Sequence, residues 1–310
     1  MYNNEFKRGI IYALSAYILW GILPLYWHLI HGIAPFEILA YRIVLSMIFM
    51  IIVAFTSQQT HFTSDLTQLI KNPIQLGAII IAGYVITINW GTFIWAVNNH
   101  HVLQTSLGYY INPLVSILLA LIFLKERFNK FEWLAILFAL IGVIYMTFKV
   151  GEFPYISLLL AFSFGFYGLL KKLVPINSIS SITVECIVTA PAGLIYIWYL
   201  WEQTQTSVGL NISSFWLLLS GAVTAIPLIL FSAGAQRIPL SLTGFIQYIG
   251  PTLIFLLGIL IFKEPFNIDQ LITFIFIWIG IIIYSISQYF KIKRSKQGTG
   301  QKSSLNKKIS

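Results

Sequence analysis

Charge is what this sequence has least of. Only 9% of its 310 residues are Asp, Glu, Lys or Arg, while 58% are hydrophobic. A soluble domain carries about 25% charge, and so small a charged fraction cannot cover a surface in water. Lipid must be the solvent for most of the chain. Cysteine is nearly missing too. Cys186 stands alone, which excludes an intramolecular disulfide and a thiolate metal cluster. It lies in an apolar run and reads as a small packing residue. Aspartate occurs only as Asp65 and Asp269, both assigned to loops. No phosphate-cradling loop, G-x-S-x-G, H-E-x-x-H or intramembrane aspartate pair occurs, so direct ATP drive by this chain and the usual hydrolytic chemistries are set aside. No nucleic-acid motif occurs either, and no cofactor is expected. The first apolar run is too long for a signal h-region and no A-x-A site follows, so it reads as a retained first helix.

What the sequence does have is long apolar runs. A helix rises 1.5 Å per residue, so about 20 apolar residues cross the hydrocarbon core. Ten runs qualify or nearly so: 9–30, 36–56, 73–97, 102–124, 131–148, 153–170, 179–201, 213–235, 239–262 and 268–290. They are apolar on all sides, which argues against short alternating barrel strands. Placing the N-terminus inside puts sixteen Lys and Arg in inside segments and only Lys149 and Lys263 outside. Seven of the sixteen lie in the last twenty residues. By the positive-inside rule both termini are cytoplasmic. The longest inside loop is 57–72 and the longest outside loop is 202–212, too short for a soluble catalytic domain. Residues 291–310 read as a basic, disordered cytoplasmic tail that lies against anionic lipid.

The chain also repeats itself. Residues 102–147 slide onto 240–285 without a gap, at an offset of 138, with 14 of 46 positions identical. Shared apolar composition explains the Leu and Ile matches. It does not readily explain Tyr110/Tyr248 and Pro113/Pro251 followed by Lys125-Glu126 and Lys263-Glu264, Phe128/Phe266 and Asn129/Asn267. The first two helices of each half match more weakly: Leu19-Trp20-Gly21 resembles Phe166-Tyr167-Gly168, and Glu37 and Glu185 both stand near the start of the second helix of their half. Five spans per half is an odd number, so the halves enter the membrane in opposite senses. Inverted halves are a common transporter device, though channels contain them too.

Three segments carry a resemblance: KRGIIYALSAYILWGILPLYWHLIHGIAPFEILAYRI from Lys7, NWGTFIWAVNNHHVLQTSLGYYINPL from Asn89, and LKERF from Leu124. In these the chain resembles the RarD branch of the EamA-type drug/metabolite transporter superfamily, from Lys7 to Phe290. The resemblance implies an all-α membrane protein of ten transmembrane helices, with residues 1–150 as the first EamA repeat and 151–290 as the second. It also implies a permease of the bacterial plasma membrane. The branch is often labelled by chloramphenicol sensitivity, which describes an effect on cells and not a substrate. In that branch the residue before the matching arginine is often His. Here it is Tyr41, which weighs against proton handling at that position.

A few polar residues inside the runs are the candidate site. Arg42 lies about six residues into the second run, and a charge at depth is costly unless paired or hydrated. It is an anchor for an anionic or carboxylated substrate, a structural pairing with a helix C-terminus or a glutamate, or a side chain that snorkels to the outer headgroups, with Tyr41 beside it. Glu37 shares a face with Tyr41. It is a solvated rim residue, a partner of His28 or His31, or a second carboxylate for protons. Glu185 is an isolated intramembrane carboxylate, either a proton-coupling group or a buried acid hydrogen-bonded to a neighbouring helix. Asn89, Trp90, Tyr110, Gln247 and Tyr248 lie deep or at repeat-related positions and are expected to line a central cavity. Interhelical hydrogen bonding is the alternative for Asn89. Trp20-Gly21 and Pro24 predict a kinked first helix beside that cavity, with ordinary packing as the alternative for Gly21. The external His28, His31, His100 and His101 have poor metal spacing.

The reading that follows is a secondary transporter for a small organic metabolite or drug-like solute, chloramphenicol-related solutes included, working by alternating access with proton coupling open. A passive channel or a regulatory membrane scaffold is the alternative, and an enzyme is not expected. Membrane lipid, the solute and protons are the expected partners, without nucleic acid, for a monomer or a homodimer.

Overall fold

The computed structural model describes residues 2–58, 61–151, 153–263 and 268–309. Those residues form α1 (Tyr2–Trp27), α2 (Pro35–Thr56), α3 (Phe62–Lys71), α4 (Pro73–Asn98), α5 (Val102–Phe123), α6 (Lys130–Val150), α7 (Tyr155–Leu173), α8 (Ser178–Glu202), α9 (Ile212–Arg237), α10 (Leu240–Gln247), α11 (Ile249–Leu260) and α12 (Ile268–Ile309). Ten stretches among them are long and apolar enough to span a membrane, with α10 and α11 together making the ninth. Helix starts follow the local sequence. Pro35 and Pro73 open α2 and α4, where a missing N–H costs nothing. Asn129 and Glu132 form a capping box on α6, and Asn177 and Asn211 cap α8 and α9. Gly151 ends α6 at φ +74°.

Four local expectations change. The 57–72 segment is not all loop: α3 forms there, buries Phe62 and Leu69 on one side, and takes a 2.5 Å hydrogen bond from Ser180 Oγ at Asp65. Asp65 and Asp269 therefore both lie in helices. The ninth span breaks at Tyr248, because Pro251 cannot donate to the carbonyl of Gln247 and Gly250 is a weak helix former. Its counterpart α5 carries Pro113 without a break, with Asn112 where the other copy has Gly250. Helix α1 is likewise continuous through Trp20, Gly21 and Pro24, and Gly21 packs against Leu253. Finally, α12 continues to Ile309 through the segment expected to be disordered. Lys, Arg and Gln are good helix formers, and no proline interrupts them.

By compactness the chain forms two units, residues 1–126 with 153–266, and 127–152 with 267–310. Each unit takes helices from both halves. In the smaller unit, α6 and α12 run antiparallel: Asn129 Nδ2 donates to Ser287 Oγ at one end (2.8 Å), and Tyr145 OH donates to Asp269 at the other (2.5 Å). A Cβ on Gly142 would lie 2.9 Å from the Thr273 carbonyl oxygen, and one on Gly280 would lie 2.8 Å from that of Ala135. Adding the offset of 138 to one contact generates the other. Phe138 meets its own counterpart Phe276 with ring centroids 6.4 Å apart. These reciprocal contacts are the signature of a local two-fold.

The larger unit repeats the pattern. α1 packs on α9 as α7 packs on α4, α5 packs on α7 as α10 and α11 pack on α1, and α2 pairs with its counterpart α8. Lys125 and Lys263, equivalent by sequence, both take left-handed backbone, at φ +52° and +51°. Tyr248 OH donates to the Tyr110 carbonyl (3.2 Å), while Gly244 packs on the carbonyl of Pro113, so α5 and α10 are antiparallel. Glycine contacts also correct the register of the early helices. Gly21 meets Leu253, and Gly165 meets Val115, the counterpart of Leu253, so Gly21 corresponds to Gly165 and not to Gly168. Gly83 packs on Glu185 as Gly221 packs on Leu45, which makes Leu45, not Glu37, the counterpart of Glu185.

The glycine contacts generate a stability prediction. Gly142→Val and Gly280→Val should each destabilise the protein by about 1–3 kcal/mol through overpacking, and to a similar extent. Gly77→Ala, whose added carbon meets nothing within 4 Å, should be neutral or slightly stabilising. Thermal unfolding in detergent checks this, and unchanged melting of both valine variants would refute the reciprocal packing.

Candidate functional site

Two clusters of charge lie inside the larger unit, on either side of one small cavity. The first is built on Arg42. Its Nε donates to Thr224 Oγ1 on α9 (3.1 Å), and its guanidinium lies 4.6 Å from the ring of Trp27 on α1 and 4.8 Å from that of Trp90 on α4. Each indole face offers a cation the negative lobe of its quadrupole. Among the described residues no carboxylate lies within salt-bridge distance of Arg42, and no acceptor faces Nη1 or Nη2. The neutral phenols of Tyr26 and Tyr109 lie in its neighbourhood. Tyr109 in turn packs on Phe93, with ring centroids 5.7 Å apart.

The second cluster surrounds Glu185 on α8, and it corrects the expectation of an isolated acid. Lys171, placed by sequence in an inside loop, is only 2% exposed and forms an ion pair with Glu185 Oε1. Ser181 Oγ donates to the same oxygen (3.2 Å) and Tyr167 OH to Oε2 (3.1 Å). Lys171 Nζ also donates to Ser181 Oγ (2.7 Å) and lies 5.3 Å from the Tyr167 ring. Every charge and hydroxyl here has a partner, the condition for keeping an ion pair out of water.

Between the clusters lies a cavity of about 20 Å³, lined among others by Ser46, Trp90, Glu185, Thr189 and Thr224. That is room for a single water. A central cavity fit for an organic solute is therefore not what these residues line in this structure.

The remaining candidates divide. Trp20 belongs to an aromatic cluster with Tyr17, Phe164 and Phe231 (ring centroids 5.4, 5.7 and 5.6 Å), and Phe231 stacks on Tyr167. Gln247 accepts from Tyr17 OH (3.3 Å), which joins it to the same cluster. Tyr110 and Tyr248 are buried against each other. Asn89 donates to the Leu160 carbonyl (2.9 Å) and Ser163 Oγ (2.8 Å), so it ties α4 to α7. Tyr41 accepts from Trp201 Nε1 (3.3 Å). Glu37 is no rim residue and meets neither histidine. It is fully buried and accepts from Thr206 Oγ1 (2.6 Å) and the Ser207 N–H (3.1 Å), which pins the loop between α8 and α9. Lys171, Tyr167, Trp27 and Thr224 escaped the sequence reading. Tyr167 and Lys171 are four residues apart on one helix, a spacing that puts hydroxyl and ammonium on one face.

Comparison with known proteins places this geometry. The EamA-like transporter family matches residues 7–148 and 154–286. The uncharacterized transporter YojE of Bacillus subtilis is 41% identical over 96% of this chain and 99% of its own. Protein RarD of Escherichia coli K12 is 40% identical over 95% and 99%. A Pseudomonas aeruginosa protein named chloramphenicol-sensitive protein RarD is 28% identical over 89% and 93%. One solved crystal structure superposes with a TM-score of 0.68 at 17% identity, over 90% of this chain and 96% of its own, a likeness of fold alone. Two matched repeats in one chain of ten spans, together with relatives at about 40% identity along nearly their whole length, make this multi-pass membrane protein a transporter of the EamA-like family and not an enzyme.

Proposed function

We propose that the chain is a secondary carrier of the bacterial plasma membrane, that it moves a small organic solute by alternating access, and that Arg42 is the solute's anchor. The observation that carries this is the guanidinium of Arg42, held at depth by Thr224, Trp27 and Trp90 with two terminal nitrogens that no acceptor among the described residues meets. An ionisable side chain inside the membrane is by default a candidate functional group, and the described residues leave this one available to a ligand. The reciprocal packing of the two halves supports alternation, because exchanging their roles gives two arrangements of similar energy. Solutes related to chloramphenicol are within scope, since one relative carries that sensitivity in its name. Both termini are assigned to the cytoplasm. With Lys171 moved from loop to ion pair, fifteen Lys and Arg still lie on the inside against two outside.

Proton coupling, on this reading, runs through Lys171 and Glu185. Protonating Glu185 cancels its attraction to Lys171 and loosens α7 from α8. The solute and the proton then act on clusters that border one cavity.

Three outcomes test the proposal. In proteoliposomes, wild-type protein should show saturable uptake and counterflow, and Arg42→Ala should lose at least tenfold in rate at an unchanged protein level. Unaltered kinetics would remove Arg42 from the site, and flux without counterflow would replace the carrier with a channel. Glu185→Gln should flatten the pH dependence of transport and destabilise the fold by about 3–5 kcal/mol, since Lys171 is left buried without its partner. The double variant Lys171→Met, Glu185→Leu should recover most of that stability and none of the pH dependence. A wild-type pH profile in either would end the coupling role. Labelling of introduced cysteines near Lys125 and Arg294 should report the same side of the membrane, and opposite sides would undo the assigned orientation.

A further inference from the structure

Which solute fits is written in the part of Arg42 that remains open, and the argument rests on Arg42 being the anchor. Nε is committed to Thr224, and the faces of Trp27 and Trp90 lie 4.6 and 4.8 Å from the guanidinium carbon. What is left is the guanidinium edge that carries Nη1 and Nη2. Two parallel N–H groups on one edge fork onto a planar acceptor with two oxygens. A carboxylate matches in shape and in charge. One cation balances one negative charge, and a tetrahedral dianion would bring a second charge to a depth where the other buried cation, Lys171, is already paired with Glu185.

The other cluster decides against an ammonium on the solute. Glu185 borders the same cavity as Trp90, but Lys171 and Ser181 hold its Oε1 and Tyr167 holds its Oε2. A zwitterion anchored at Arg42 would find that carboxylate already neutralised. Around Arg42 the walls are aromatic: Trp27 and Trp90 face it, and the Tyr26 ring centroid lies 4.9 Å from that of Trp27. Such walls suit a flat apolar body. We infer that the solute is an organic monocarboxylate with an aryl or similarly apolar body, bound edge-on by Arg42, and not an α-amino acid.

Binding to purified full-length protein tests this, read by tryptophan fluorescence and by thermal shift. The probes are 3-phenylpropanoate, its neutral amide 3-phenylpropanamide, L-phenylalanine and phenylphosphonate. The carboxylate should bind at least tenfold more tightly than each of the other three, and Arg42→Lys should erase that preference. The inference falls if any of the three comes within tenfold of the carboxylate, if wild-type protein gives no response to 3-phenylpropanoate, or if Arg42→Lys keeps the preference. The comparison among probes needs only the wild-type protein, so a variant that fails to fold does not remove the test. Carboxylate-selective binding without counterflow would uphold this inference and remove the carrier reading. Counterflow of a solute with no carboxylate preference would do the reverse.

Discussion

Lipid offers an ionised side chain nothing to pair with, and the centre of this bundle is arranged around that constraint. Glu37 meets it with backbone and hydroxyl donors from the loop between α8 and α9. Lys171 and Glu185 meet it with each other, and Tyr167 and Ser181 take up the remaining valences. Arg42 meets it only in part, through two indole faces and one hydroxyl. The three solutions differ in what they leave over. A buried carboxylate with all its oxygens engaged needs no ligand, whereas a guanidinium with one of its five N–H donors engaged is an invitation.

Close approach of the helices is what makes these solutions possible. Gly83 lets α4 lie against the backbone of Glu185, and Gly221 lets α9 lie against Leu45 and Ser46. Thr224 follows Gly221 by less than one turn on α9 and so comes within 3.1 Å of Arg42. Without a hydrophobic drive between helices, such contacts and the hydrogen bonds they permit hold a membrane bundle together. Ser46 Oγ, donating to the Gly221 carbonyl at 3.2 Å, is one of them. The charged residues and the small residues are thus one design feature.

Much of the fold was legible because it depends on length and repetition. Runs of about twenty apolar residues admit few structures in lipid. The identity of Tyr110 with Tyr248 and of Lys125 with Lys263 carries the repeat, and both pairs take related positions in the structure. The early helices were harder. Leu19-Trp20-Gly21 and Phe166-Tyr167-Gly168 look alike as letters, but packing aligns Gly21 with Gly165. Helix α3 escaped because ten residues with Phe62 and Leu69 on one face are too few for a span. In the site, Arg42 announced itself as a charge inside an apolar run. Lys171 did not, because a Lys-Lys doublet at a helix end looks like an interfacial anchor until the chain folds one lysine inward. The partners of Arg42 lie on three other helices, and no spacing rule in one sequence brings Trp27, Trp90 and Thr224 together.

The scaffold is symmetric, but its chemistry is not. The register set by Gly83 and Gly221 pairs Glu185 with Leu45, and carried three residues back along both helices it pairs Arg42 with Ile182. Tyr109, near Arg42, corresponds to Gln247, which accepts from Tyr17 instead. Each half therefore repeats the backbone of the other while supplying a different charge. In the proposed cycle this matters, because two exchanged arrangements of one scaffold would hold a solute equally well only if the anchor were duplicated. With one cation in the first half and one closed ion pair in the second, the two arrangements present the solute with different surroundings. In that proposed cycle the symmetry of the scaffold would permit alternation, the single copy of each charged cluster would make the two arrangements hold solute and proton unequally, and the gradient would set the direction of net flux.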